Sequence, residues 1–260
     1  MGKEKIRLGG MALANGVLVH GPKAWGCAIR LPDGSLKVAA ERKSFRASQI
    51  QRPLLRGPAR LLEAVALLPA VRKALPEAQL PFARPDVLAS TLGSAVVVRA
   101  VRESKLAPAA QELVSGLLSV APAAMALRTG DLAAYHGAEH VSIGSYEHGS
   151  RRTKEHERCG SHLLGPLLTT TAIGNVLAAR APAHMRGAAR AAASLGAVAA
   201  STEIFAWMVR NPEKRLARAL AKPGHELQHR MATAEPTPEQ LEVAEAALRA
   251  CLELEDGRDP

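Results

Sequence analysis

Long stretches without charged side chains limit the folds that are open to this chain. His162 is the only ionisable residue in Ser161–Ala179, and Glu203 is the only one in Ala191–Val209. These two runs reach the roughly 18–20 residues that a helix needs to cross a bilayer. They are rich in Ala, Gly, Ser and Thr, so they also suit the buried helices of a soluble bundle. Shorter uncharged runs occupy Leu113–Leu127 and Val87–Val98.

Positive charges lie between these apolar runs. The net charge is +10, which favours an anionic partner such as a membrane face, a nucleic acid or an acidic substrate. Aromatic residues make up only 3% of the chain, so base stacking has little support and nucleic acid is the weakest of these partners. A membrane face and an acidic substrate are the partners that this composition leaves open. If all four apolar runs span a bilayer, Lys and Arg place residues 1–60, 151–158 and 210–230 on the cytoplasmic side.

Reactive side chains are concentrated between Tyr135 and Gly160. This segment holds four of the nine histidines and one of the three cysteines. Inside it His136, Glu139 and His140 spell H-x-x-E-H, which is the pattern of the inverted zincins. Positions i and i+4 lie on one face of a helix, so both imidazoles can reach one metal ion. The glutamate between them is then close enough to take a proton from a water held by that ion.

A site with two histidines needs a third ligand, and the sequence leaves this choice open. The candidates are Glu147, His156 and Cys159, which follow the motif closely. Thiolate and imidazole ligands together suit zinc or another late transition metal, whereas carboxylates alone would suit magnesium or calcium. We therefore expect zinc. Arg158 is the candidate for stabilising negative charge that develops on a substrate.

The same segment resembles the bacterial YqhQ-like family (domain of unknown function 1385). The shared motifs are Y-H-G-A-E-H from Tyr135, Y-E at Tyr146 and Glu147, and H-x-R-C-G from His156. That family is described as predicted metal-dependent membrane proteins. The resemblance therefore implies a divalent metal, a location in the bacterial cell membrane with membrane lipids as partners, and a site that faces the cytoplasm. A cytoplasmic location is the alternative.

The resemblance extends over nearly the whole chain. Asn15 stands where the family pattern has Glu, and His20 stands where it has Arg. If that acidic residue takes part in the chemistry, activity in this chain is altered. The remaining matches are Gly9-Gly10, Gly16-Val17, Gly21-Pro22, Pro53–Gly57, Glu203, Pro223-Gly224, Gln228, Glu235-Pro236 and Glu239–Ala244.

We expect one domain over residues 1–260, which is mainly α-helical. The predicted architecture is a helical bundle, embedded in or associated with a membrane, with a small N-terminal β-hairpin. In region 1–52, Ala24–Leu31 and Leu36–Glu41 are the predicted strands, and Pro32–Ser35 is the turn between them. The glycines before them, from Gly9 to Gly21, predict a loop, which either approaches a ligand or another backbone closely or simply forms turns.

Region 53–230 is the predicted helical body, with the histidine-rich site at 135–160. It begins with a helix over Leu54–Ala74, and breaks between helices are predicted at Pro182, Pro212 and Pro223-Gly224.

A C-terminal amphipathic helix is predicted over residues 237–254. Thr237 is its N-cap, Pro238 takes its first position and Gln240 completes a capping box. Cys251 lies on its apolar stripe and is predicted to be in the core. Because the cysteines are odd in number and far apart, we expect reduced thiols and no disulfide framework.

Two hypotheses for function follow. The leading one is a metal-dependent hydrolase in which His136 and His140 bind the metal and Glu139 is the base. Its substrate stays open between peptide, lipid and phosphoester. The second is a non-catalytic basic membrane scaffold or assembly factor with a structural metal site.

Three more residues are possible members of the site. Glu203 lies within an apolar run, where an unpaired carboxylate is costly. It is therefore either a ligand or base that reaches the histidines, or the partner of an arginine. Tyr135 and Tyr146 belong to the shared motifs and are the other two.

Overall fold

The protein is described by a computed structural model that covers residues 5–81, 84–128 and 131–257. Within these ranges there are eight α-helices and one four-stranded antiparallel sheet, which confirms the predicted mainly helical fold with β structure near the start. The helices are α1 (Arg56–Ala74), α2 (Pro85–Glu103), α3 (Pro108–Arg128), α4 (Leu132–His148), α5 (Leu164–Ala179), α6 (Arg186–Arg210), α7 (Arg215–Leu227) and α8 (Pro238–Glu255).

The sheet is a meander in the order β1-β2-β3-β4. Its strands are β1 (Gly9–Leu13), β2 (Gly16–His20), β3 (Ala24–Arg30) and β4 (Leu36–Arg42). The second hairpin, β3–β4, confirms the prediction. The first hairpin corrects it, because the glycine-rich segment that we predicted to be a loop forms β1 and β2. Both strands consist almost entirely of apolar residues. Because helices cover both faces of the sheet, these strands lack the alternation of apolar and polar residues that is typical of a half-exposed strand.

Two layers of helices cover the sheet. On one face, α4 and α8 pack against Val17, Val19 and Ala28. On the other face, α1 packs Leu67 and Val71 against the sheet. The buried sheet residues on the α1 side are Leu13, Leu18, Trp25, Cys27 and Ile29.

Asn15 has a structural role at the turn between β1 and β2. Its side-chain oxygen accepts a hydrogen bond from the Gln79 amide at 2.9 Å, and its nitrogen donates to the Glu77 carbonyl at 3.1 Å. The turn therefore holds the segment after α1 in place. Asn15 lies at the far end of β1 from Gly10, the residue of that strand that contacts Glu139.

A buried ion pair joins α1 to the end of β4. The Lys43 ammonium lies 3.2 Å from Glu63 Oε2, with both side chains nearly inaccessible to water, and 2.9 Å from His20 Nδ1. Glu63 Oε1 also accepts a hydrogen bond from the Ala47 amide at 2.8 Å. Burial, and then the charge of Lys43, lower the pKa of His20 to about 3, so this imidazole is neutral. His20, which departs from the family pattern, thus accepts a hydrogen bond from Lys43.

We predict that Glu63→Gln destabilises the protein by about 3 kcal/mol, because it leaves the Lys43 charge buried without its counter-ion. In a chain of this size that is a fall of roughly 6–12 °C in Tm. The measurement is thermal unfolding of the purified protein in detergent.

The control is Glu242→Gln, which removes the same charge from an exposed pair with Arg30. Exposed pairs contribute about 0–1 kcal/mol, so this variant should melt within about 3 °C of the wild type. Equal melting of the two variants would show that the buried pair contributes nothing to stability.

Two helical hairpins, α2–α3 and α5–α6, carry most of the uncharged runs. The segments Gly160–Ala179 and Ala183–Arg210 are long and apolar enough to cross a membrane, and only 22% and 17% of their apolar windows are buried. A core helix of a soluble protein would be mostly buried. The apolar run in α3, Val114–Leu127, is shorter. Large apolar side chains that face outward from the hairpins are Leu92, Val96, Ile173, Leu177 and Leu195.

The remaining predicted boundaries hold with one exception. Thr237 and Gln240 form the capping box of α8, and Cys251 of this helix is fully buried. The chain breaks its helices around Pro182 and Pro212 as predicted. Pro223, however, lies inside α7. The adjacent Gly224 packs so closely against the backbone of His162 that a side chain would overlap it, so this pair serves packing within the helix rather than a turn.

Candidate metal centre

Helix α4 presents the H-x-x-E-H motif to the inside of the protein. The helix ends at Gly149, which adopts the left-handed conformation that favours glycine at a C-cap. His136 and His140 lie one turn apart with ring centroids 4.3 Å from each other. His140 is buried, whereas His136 keeps 20% of its side chain exposed. The pair is therefore shielded on one side and open to solvent on the other.

Backbone carbonyl groups fix both imidazole rings. Nδ1 of His136 lies 2.8 Å from the carbonyl oxygen of Ala232, and Nδ1 of His140 lies 2.6 Å from that of Lys154. A carbonyl only accepts hydrogen bonds, so each Nδ1 carries the proton and donates it. The lone pair that is left to bind a metal is then on Nε2 of each ring, which is the usual arrangement behind a metal-binding histidine.

Cys159 completes a set of three potential ligands. Its sulfur lies 3.5 Å from Nε2 of His136, and one ligand atom from each of His136, His140 and Cys159 lies within 4.8 Å of the others. Burial raises the pKa of the Cys159 thiol. Imidazole nitrogen and thiolate sulfur are both ligands that bind late transition metals such as zinc. Of the three residues that the sequence offered as third ligand, the structure brings Cys159 to the histidine pair.

Glu139 lies directly beside these ligands. Its carboxylate oxygen Oε2 is 3.8 Å from Nε2 of His136. Burial raises the pKa of Glu139 to about 7, and the charge of His136 acts in the opposite direction. On its other side the carboxylate rests against Gly10 of β1, where any side chain would overlap it. Gly10 thus lies in a strand, not in a loop as predicted, and its close contact is with the side chain of the motif glutamate.

Glu147, His156 and Arg158 form a separate cluster next to the ligands. Nε2 of His156 lies 3.3 Å from Glu147 Oε2, and Arg158 forms an ion pair with the other oxygen of Glu147. The ring of His156 is 5.5 Å from that of His140. Glu147 and Arg158 therefore neutralise each other, and His156 is held between this pair and the metal ligands.

The three further candidates lie elsewhere. Glu203 on α6 forms an ion pair with Arg56, at 2.5 Å, and accepts a hydrogen bond from the Leu54 amide at 3.1 Å. It is the partner of an arginine and connects α6 to the start of α1. Tyr135 is buried in the core between the sheet, α4 and α8, and the half-buried Tyr146 packs against the same core with the Lys5 ammonium over its ring.

Gln228 has a central role that the sequence reasoning missed. It is fully buried at the start of a π-helical turn, Gln228–Ala232. Its side-chain oxygen accepts from the His156 amide at 2.9 Å, and its nitrogen lies 2.7 Å from Ser161 Oγ and 3.1 Å from His162 Nδ1. Gln228 thus fixes the loop that carries Cys159, and the same turn ends at the carbonyl that holds His136. The only sequence signal was its match to the family pattern.

If this group holds a metal ion, we predict that Gln228→Ala weakens its affinity, tested with zinc, by about 10–100-fold, the usual cost of losing a residue that supports the ligands. The physical reason is that the loop from His156 to Ser161 loses its anchor and Cys159 its fixed position. The measurement is competition for zinc with a chromophoric chelator.

The control is Gln240→Ala, the same substitution in the capping box of α8. It should lower stability by about 1 kcal/mol and leave zinc affinity unchanged. If Gln228→Ala binds zinc as tightly as this control, Gln228 does not support the site.

Comparison with known proteins gives one match. The family model described as "Protein of unknown function (DUF1385)" matches residues 113–254, which is more than half of the chain. The match includes α4, the Cys159 loop and Gln228, but not the sheet. The curated proteins contain no match, and neither do the solved structures.

Proposed function

This chain belongs to the DUF1385 family, and we propose that it is a metal-dependent hydrolase with zinc held by His136, His140 and Cys159. The observation that carries the proposal is the orientation of the two imidazoles. Both Nδ1 atoms are bound to backbone carbonyls, so both Nε2 atoms are free to bind an ion beside the Cys159 sulfur.

The number of ligands favours a catalytic over a structural site. Structural zinc sites in proteins use four protein ligands, whereas catalytic sites use three and keep one position open. Among the residues that the structure describes, three form the group here. Solvent reaches this group at His136, whose side chain is 20% exposed. A zinc ion bound there would act as a Lewis acid towards water and the substrate carbonyl or phosphoryl group.

Glu139 is the proposed general base. Its carboxylate is adjacent to the ligand atoms but is not needed to complete the set of three. A base works best when its pKa is near the working pH, and burial brings that of Glu139 to about 7. Arg158 is less suited to stabilise developing charge directly, because Glu147 already neutralises it.

We predict that Glu139→Gln keeps zinc and lowers hydrolysis by about 10²–10⁴-fold, the range for loss of a general base. Bound metal is measured by elemental mass spectrometry, and hydrolysis with a panel of fluorogenic peptide, carboxyl ester and phosphodiester substrates. Glu157→Gln is the control, since Glu157 is an exposed residue of the same loop that pairs with Arg152. It should retain both metal and activity.

Other outcomes would overturn the proposal. If the wild type holds about one zinc per chain but Glu139→Gln loses it, Glu139 is a fourth ligand and the site is structural. If neither protein binds a metal after reconstitution, the histidine pair is not a metal site.

We further propose that the two apolar hairpins lie in a membrane, with the metal centre on the cytoplasmic side. Support comes from the length and low burial of the segments Gly160–Ala179 and Ala183–Arg210. Cys159 directly precedes the first of these segments, so the site lies at its cytoplasmic end. The basic segments around residues 151–158 and 210–230 flank this same end of the two apolar segments in the sequence, which favours the cytoplasmic side for it.

We predict that the α5–α6 connection lies on the outer side of the membrane. In a Cys159→Ser background, Ala183→Cys should react with a membrane-impermeant maleimide in intact cells, while Ser150→Cys should react only after lysis. Both positions are exposed, and the two remaining native cysteines are buried. Labelling of both positions only after lysis would place the whole chain inside the cell.

A further inference from the structure

Helix α7 carries its positive charges on the side opposite to the one that packs. Arg215, Arg218 and Lys222 follow one another at spacings of three and four residues, so they share one face of the helix. All three residues are exposed. Ala217 and Gly224, on the other side of the helix, are buried. The helix therefore presents a row of cations to its surroundings.

Acidic side chains do not neutralise this row. Among the residues that the structure describes, no carboxylate forms an ion pair with any of the three cations. The only acid within α7 is Glu226, which pairs with Arg230 at 2.8 Å. Glu213 precedes the helix, and the exposed Lys214 follows it directly. The exposed face of α7 thus has an excess of positive charge.

The position of α7 is fixed by contacts with the start of the apolar segment Gly160–Ala179. Gly165 lies so close to the backbone of Leu220 that a side chain would overlap it, and Gly224 lies equally close to the backbone of His162. Helix α7 also begins only four residues after α6 ends. It therefore lies at the end of the α5–α6 hairpin where the Cys159 loop begins α5.

We propose that α7 lies on the membrane surface and that its cationic face binds the phosphate groups of anionic lipids. This rests on the proposed membrane location of the α5–α6 hairpin. Guanidinium groups bind phosphate oxygens in pairs, and a basic amphipathic helix lies in the plane of the interface. Leu216, which is 61% exposed on the flank of the same helix, would contact the acyl chains. Helix α7 has no Phe, Tyr or Trp on which a base could stack, so lipid is favoured over nucleic acid.

Lipid contacts at α7 bear on the metal centre, because the helix continues directly into the π-helical turn. Gln228, at the start of that turn, accepts a hydrogen bond from the His156 amide in the Cys159 loop. The carbonyl of Ala232, at its end, holds His136. Binding of α7 to lipid headgroups would therefore hold the centre at a fixed depth relative to the membrane surface.

The test is native mass spectrometry of the detergent-purified protein with equal amounts of dioleoyl phosphatidylglycerol and dioleoyl phosphatidylcholine. The two lipids have the same acyl chains, and only phosphatidylglycerol has a net negative charge. The wild type should retain about fivefold more phosphatidylglycerol or better, since about fivefold is what one cation contributes at an anionic surface. The preference should disappear when ammonium acetate is raised from about 0.1 M to about 1 M, because salt screens exposed charges.

Two triple variants locate the site. Arg215→Gln/Arg218→Gln/Lys222→Gln should retain the two lipids to within about twofold of each other, because the cationic face is lost. The control removes three exposed cations from α1 and α8 and should keep the preference of the wild type. Its substitutions are Arg72→Gln, Lys73→Gln and Arg249→Gln. All six positions are exposed, so both variants should fold, which thermal unfolding checks.

Lipid adducts are counted in detergent, so the result does not depend on whether the hairpins span a bilayer. A preference that is lost only in the α7 variant supports the lipid site, even if maleimide labelling places the whole chain inside the cell. Equal retention of both lipids by the wild type, or an equal effect of the two triple variants, would overturn the lipid site and leave the proposed membrane location standing. Binding of a fluorescent RNA oligonucleotide without retention of either lipid would overturn it in favour of nucleic acid.

Discussion

The geometry of the centre depends on two hydrogen bonds between imidazole Nδ1 atoms and backbone carbonyl groups. They come from separate parts of the chain, the π-helical turn that ends at Ala232 and the loop at Lys154. Each bond sets both the orientation and the tautomer of its ring, so the lone pairs of the two Nε2 atoms are left for one ion. Helix α4 by itself places two histidines on one face. The two carbonyl groups orient the rings so that both Nε2 atoms are available as potential ligands.

Close backbone contacts surround the motif on α4. Gly137 packs against the carbonyl of Ala234, and Gly144 packs against the side chain of Arg152. Gly10 contacts Glu139 in the same way. Because these three glycines have no side chains, neighbouring segments can come close to the helix. The result is that Glu139 and His140 are buried although they are polar, and burial is the largest cause of the shifts in both of their pKa values. Small residues on and around α4 therefore control the electrostatics of the site.

The sequence predicted correctly those features that depend only on neighbouring residues. The Pro32–Ser35 turn and the cap at Thr237 are read from neighbouring residues, and they are where they were expected. The first hairpin was missed because β2 is buried nearly throughout, so it shows no alternation, and because the two strands carry Gly9, Gly10 and Gly16. The choice of Cys159 over Glu147 and His156 depends on contacts between distant segments. Glu147 is less suited to be the third ligand because it forms an ion pair with Arg158. The spacing of residues in the sequence does not predict this ion pair.

The candidate metal centre lies between the sheet and the start of an apolar helical segment. On one side, β1 belongs to a sheet buried between helices, and it fixes Gly10 against Glu139. On the other side, Gln228 bonds both the loop at His156 and the turn at His162, which opens the apolar segment Gly160–Ala179. Glu139 is thus positioned by the sheet, whereas Cys159 is positioned by the start of a helix that is long enough to cross a membrane. A displacement of that helix relative to the sheet would change the distance between Glu139 and Cys159. Gln228 opposes such a displacement on the Cys159 side, because it joins the Cys159 loop to the turn whose Ala232 carbonyl holds His136.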